Sequence, residues 1–164
     1  MNDNINGSLL QKSQALGETL KTQNYQISAA ESCTGGLFLS TLTDISGSSA
    51  YVQGGVVTYS NEAKQQHLNV QEQTLIDYGA VSEQTAREMV IGVCQLFNVP
   101  VGASITGIAG PGGGTAEKPV GLVYIGIKVN DTLQVNRHVW NGTRIENKIY
   151  SVHAAIDSLL ALLS

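Results

Sequence analysis

A short apolar run, Ile27, Ala29 and Ala30, closes in Glu31-Ser32-Cys33-Thr34-Gly35-Gly36, and helical spacing resumes at once. That break constrains the fold more than any other stretch. A strand that stops in hydroxyls, a thiol and paired glycines, then restarts as a helix, is a strand-to-helix turn of an α/β protein. Small residues there let backbone come close to a ligand.

Strand and helix patterns alternate along the chain. Leu9, Leu16 and Leu20 mark a first helix over about 7–23, followed by a strand over 25–30 and a helix over 35–43. A second strand is expected over 52–59, and Ser60 caps a short helix over 61–68. Ser82 caps a longer helix carrying Ala86, Met89, Val90, Val93 and Leu96, which Asn98-Val99-Pro100 ends. A small buried strand over 101–106 follows, then two strands, 120–129 and 133–140, joined at Asn130-Asp131 as a hairpin. Thr143 and Glu146 form a capping box for a last helix with Ile145, Ile149, Val152, Ile156, Leu159 and Leu163 on one stripe. The expected fold class is α/β: one three-layer α/β/α domain over 1–164 with a mixed sheet, residues 1–7 being flexible.

Charged residues are only 13% of the chain, against a usual ~25%, so much of it is expected to lie in a sandwiched sheet or a subunit interface. A net charge of -4 argues against nonspecific nucleic-acid or anionic-membrane binding, so an anionic substrate needs a local site. Cys33 and Cys94 are too few for a disulfide framework, and with His67, His138 and His153 they show no metal-ligand spacing. The polar first eight residues carry no signal-peptide pattern, and no apolar run approaches the ~18 residues of a membrane span. A cytoplasmic enzyme or binding domain is the expected class.

Serines, a tyrosine and a lysine fall within one span: Ser32, then Ser46-Gly47-Ser48-Ser49, then Tyr59 and Lys64. Serine needs a partner base to attack a carbonyl, and the only economical base here is Lys64. A lysine titrates near ~10.4, so keeping it neutral at pH ~7.5 requires ~4 kcal/mol. Its place in a first helical turn supplies only ~0.3–1 kcal/mol, or ~2 when partly buried. Desolvation must supply the rest, so Lys64 is either deeply buried and catalytic or a solvated surface residue. Ser32, Ser48 and Ser49 read equally as turn and cap residues, and Cys33 as a second nucleophile or a core thiol.

The run Gly107-Ile108-Ala109-Gly110-Pro111-Gly112-Gly113-Gly114-Thr115 follows an apolar strand, so it is a structural loop or one whose amides line an anion or a planar ring. It is neither a Walker A loop nor a dinucleotide fingerprint. Thr106 would point its hydroxyl beneath it. Arg144, at the start of the last helix, is an exposed arginine or a phosphate contact, with Lys118 as a second cation.

Six segments, taken in order, resemble the CinA C-terminal domain family: 30–36, 44–50, 57–64, 79–82, 106–114 and 117–121. The resemblance runs over about 8–160. It implies a three-layer α/β/α domain, usually oligomeric, and hydrolysis of the carboxamide of nicotinamide mononucleotide to nicotinic acid mononucleotide and ammonia. Longer members carry a molybdopterin-binding-like domain ahead of this one. The resemblance further implies a serine–lysine dyad: Lys64 as base, Tyr59 beside it, Ser49 as the preferred nucleophile with Ser32 as the alternative. Thr106 and Arg144 fall on polar site positions, Thr143 replaces a more usual acidic residue, and Lys148 fills a basic position on the last helix. Substrate contacts are expected from Thr34, Gly35, Ser48, Thr106, Gly107, Gly110, Gly112 and Arg144, with no metal or cofactor. The alternatives are a nucleotide-binding or regulatory domain without turnover, and an amidohydrolase for another small amide.

Overall fold

Side-chain alternation along a fully buried strand decides which layer each part of the site belongs to. In the computed structural model, which describes residues 3–164 (with side chains from Gly7), β1 spans Ile27–Glu31 and all five of its residues are buried. Ile27 and Ala29 join one core with Leu16, Phe38 and Ile156, whereas Ala30 joins another with Leu68, Met89 and Val93. A strand buried on both faces is the middle of a sandwich.

The chain runs α1 (Asp3–Thr22), β1, α2 (Leu37–Thr43), a single 3-10 turn at Ser48–Ala50, then β2 (Val52–Val57) and α3 (Asn61–Leu68). It continues through α4 (Glu72–Tyr78), α5 (Glu83–Phe97), β3 (Val101–Gly107), β4 (Leu122–Val129), β5 (Thr132–Val139) and α6 (Arg144–Leu163). Strand order is β2-β1-β3-β4-β5; β2, β1 and β3 are parallel, and β3, β4 and β5 antiparallel. Helices α1, α2 and α6 cover one face, and α3, α4 and α5 the other. The domain is therefore α/β with a five-stranded mixed sheet in three layers.

Several expected boundaries agree within a residue or two, among them α3, α5 and the Asn130-Asp131 turn, where Asn130 takes φ 51. The capping box is present, with Thr143 and Glu146 each bonded to the other's backbone. Three features depart from expectation. The strand expected over 25–30 is shifted along the chain to Ile27–Glu31. Neither α4 nor the Ser48–Ala50 turn announces itself by an apolar stripe. Residues 1–2, part of the stretch expected to be flexible, lie outside the described residues, and α1 starts at Asp3 rather than near Gly7. No helix among the described residues is long and apolar enough to cross a membrane.

Candidate active site

From β1 the chain passes to β2 on one side and later to β3 on the other, so the carboxyl ends of three parallel strands meet at a topological switch point. Crevices at such points are the usual ligand sites of α/β sheets. Ser32 follows β1, Thr58 and Tyr59 follow β2, and Thr106 and Gly107 end β3. A cleft of about 270 Å³ opens there, with Ser32, Lys64 and Thr106 in its wall.

Lys64 reaches this cleft from the first turn of α3. Ser60 caps that helix, its hydroxyl accepting from the Ala63 amide at 3.1 Å. α3 lies hard against α5: a Cβ on Gly92 would stand 2.1 Å from the Leu68 carbonyl oxygen. This close seat turns Lys64 inward, and only 1% of it is exposed. The surface reading of the lysine is thereby excluded. Its Nζ donates to the Thr58 carbonyl at 2.8 Å and stands 3.1 Å from Ser32 Oγ. Thr58 is itself fixed, its amide donating to the Glu31 carbonyl at 2.9 Å.

The electrostatics favour an uncharged amine. The ion pairs among the described residues, Lys12–Asp157 and Arg87–Glu83, do not involve Lys64. Burial pulls its pKa below the ordinary 10.5. Neutral, the amine keeps one N–H on Thr58 and offers its lone pair to the Ser32 hydroxyl. The neighbouring Cys33 thiol also lines the cleft, but desolvation pushes its pKa up to about 11. A thiol held that high stays protonated and is a poor nucleophile.

Ser49 is not in this cleft. It lies with Ser48 in the 3-10 turn that precedes β2, at the amino end of the strand whose carboxyl end bears Thr58. Six residues of strand, ~20 Å at ~3.3 Å each, separate that turn from the site. Of the two candidate serines, Ser32 is the one that stands against the Lys64 amine. A signal for this is available from sequence. In parallel strands, residues that follow strands share an edge, and Ser32 and Lys64 both follow strands while Ser49 precedes one.

Other expected contacts divide in the same way. Gly107, Gly110, Gly112 and Arg144 line the cleft with Thr106. Thr34 and Gly35 belong instead to the turn entering α2, where Thr34 Oγ1 is buried with no partner among the described residues. Thr106 is buried and spends its hydroxyl on the Ala80 carbonyl at 2.8 Å, holding the 80–81 wall in place. Tyr59 is 64% exposed at the mouth, its hydroxyl accepting from Arg144 Nη2 at 3.2 Å. The contact that orients Lys64 is therefore the Thr58 carbonyl, not the tyrosine.

Arg144 bridges the mouth, since its Nη1 also donates to the Gly110 carbonyl at 2.7 Å. Beneath it, buried Asn147 donates to the Ala109 carbonyl and accepts from the Gly142 amide, both at 3.0 Å. The glycine-rich loop is thus clasped to the start of α6. Lys118 takes no part at the mouth, because its amine donates to the Tyr78 carbonyl at 2.5 Å, at the end of α4.

Comparison with known proteins follows the same outline. A family model described as the CinA C-terminal domain matches residues 10–163. A relative from Alkaliphilus metalliredigens, whose name includes the words competence-damage inducible protein, is 44% identical over 146 residues, covering 89% of this chain and 36% of its own. A CinA-like protein of Syntrophomonas wolfei is 50% identical over 134 residues, covering 82% and 32%. The chain thus spans about a third of the length of these relatives. Among solved structures, the competence/damage inducible protein CihA from Agrobacterium tumefaciens superposes with TM-score 0.93 at 39% identity, over 95% of this chain and 96% of that one. A CinA superfamily protein from Escherichia coli superposes with TM-score 0.92 at 30% identity, over 99% and 93%. On sequence and on fold alike, this chain belongs to the CinA C-terminal domain family.

Proposed function

We propose that the protein is an amidohydrolase that cleaves the carboxamide of nicotinamide mononucleotide, giving nicotinic acid mononucleotide and ammonia. One observation carries the reading: a wholly buried lysine amine, without a carboxylate partner among the described residues, 3.1 Å from a serine hydroxyl at the carboxyl edge of the sheet. Neutral Lys64 takes the Ser32 proton as Oγ bonds to the carboxamide carbon. Backbone amides of the small-residue turns hold the oxyanion. The C–N bond then breaks, and Lys64 returns the proton to the departing nitrogen, which leaves as ammonia. Water attacks the acyl-serine, its proton passing through Lys64, and the acid is released with Ser32 restored.

At the mouth, Arg144 uses two of its five donors on Gly110 and Tyr59, which leaves others for a phosphate. The nucleotide is thereby placed with its charge outward and its amide inward. A cytoplasmic setting belongs to the same reading, as does self-association. The latter draws support from exposed Leu10 and Ile145, which flank an apolar hollow of about 510 Å³ between α1, α2 and α6.

The test is ammonia release from nicotinamide mononucleotide by the wild type and by Lys64→Ala. Loss of an acid–base partner is expected to lower the rate ~10²–10⁴-fold. A loss under ~10-fold overturns the dyad. Tight binding of the mononucleotide by the wild type without ammonia would make the domain a nucleotide-binding module instead.

A further inference from the structure

We infer that Glu31 is the positioning residue of the nucleophile: its buried carboxylate clamps the turn on which Ser32 sits. Glu31 is fully buried, and alternation along β1 sends it to the α2 side of the sheet, opposite Ser32 and Lys64. There its Oε2 accepts from the amides of Gly36 at 3.0 Å and Phe38 at 3.1 Å, and its Oε1 from the amide of Leu39 at 3.0 Å. These are among the first amides of α2, which a helix leaves without internal partners. Gly36, at the N-cap position, has no side chain to satisfy them, so a residue five positions upstream does so.

The segment between the carboxylate's backbone and its oxygens is Ser32 to Gly35, and it is held at both ends. On the strand side, the Ser32 amide donates to the Ile105 carbonyl at 2.9 Å, and the Glu31 carbonyl accepts from Thr58. On the helix side, both carboxylate oxygens are engaged. Between them Gly35 and Gly36 take φ 63 and 98, and the Gly35 amide donates to the Ser32 carbonyl at 3.1 Å. With both ends fixed, Ser32 Oγ has little freedom about its 3.1 Å approach to the amine. A displacement of ~1 Å at a reacting atom is worth ~10²-fold in rate. The same saturation also closes the α2 start to a substrate anion, in keeping with a phosphate held at Arg144.

A glutamine cannot substitute. It offers one acceptor oxygen, and its NH₂ would face an amide N–H. Aspartate keeps the charge but is one carbon short.

The experiment reads Ser32 directly, by its rate of labelling with a fluorophosphonate. In that reaction the serine Oγ–P bond forms, the P–F bond breaks, fluoride leaves, and the hydroxyl proton passes to Lys64. Glu31→Gln and Glu31→Asp are compared with the wild type and with Leu20→Ala, a core truncation at the far end of the sheet, all well below their melting temperatures. Both Glu31 variants are expected to label ~10-fold or more slowly, with KM for nicotinamide mononucleotide within about threefold, while Leu20→Ala labels as the wild type does. Labelling of Glu31→Asp within about twofold of wild type overturns the inference, as does an equal slowing by Leu20→Ala. Only the substrate side of the inference rests on the amidase reading. A wild type labelled at Ser32 that releases no ammonia from the mononucleotide sinks that reading and leaves the role of Glu31 standing.

Discussion

Replacing Lys64 by methionine separates what the amine costs the fold from what it does in the cleft. Burial lowers the folded pKa below 10.5, so between that lowered value and the ordinary one the unfolded chain binds the extra proton. The Lys64 contribution to wild-type stability therefore rises with pH across that window and is flat below it. The melting temperature of Lys64→Met, relative to wild type, is expected to be highest below that lowered value and to fall back as pH approaches the ordinary 10.5. A difference that stays flat over this range would mean that the amine titrates as a solvated lysine does. Turnover by the wild type should climb through the same lowered pKa, because only the neutral amine can accept the serine proton. The two serines are separated as simply. Ser32→Ala is expected to lose ~10²–10⁴-fold in ammonia release, and Ser49→Ala to stay within about twofold. The reverse result would return the nucleophile to the turn before β2.

At the scale of elements, the chain announces what is local and hides what is tertiary. Ser60, Ser82 and Thr143 each mark a helix start, because a cap is satisfied by amides two or three residues away. The capping box could be read directly from Thr143 and Glu146. Helix α4 could not, since Gln71 gives it no side-chain cap and only Leu75 of its residues is buried. Nor could the burial of Lys64, which depends on a glycine in α5 that lets α3 settle against it. Glu31 was hidden for the same reason, as its partners are backbone amides of the next helix. Thr143→Ala should cost ~1 kcal/mol of stability. It should also loosen Arg144, the first residue of α6, and so raise KM for the mononucleotide severalfold with kcat little changed. A fall in kcat with KM unmoved would place Arg144 in the chemical step rather than in binding.

For the whole molecule, the net charge of -4 and the position of the cleft pull in opposite directions on an anionic ligand. A nucleotide is repelled by the average field and must gain its binding from the mouth, where the Arg144 guanidinium stands at the tip of α6. That helix is also a main support of the core, burying Ile149, Val152, Ile156 and Leu159. A ligand that engages its tip therefore stabilises the native state as a whole. By mass action the gain is ~2.7 kcal/mol at a ligand concentration a hundred times its dissociation constant. With Ser32→Ala, which binds without turnover, nicotinamide mononucleotide should raise the melting temperature, and nicotinamide riboside, lacking the phosphate, should raise it less. Adding Arg144→Gln should remove most of that difference, and added salt should shrink it, because the contact is partly exposed. Equal shifts from the two ligands would show that the phosphate is not read at the mouth. The charge of the cleft would then serve some other group, while the contact of Lys64 with Ser32 and the Glu31 hydrogen bonds behind it would be untouched.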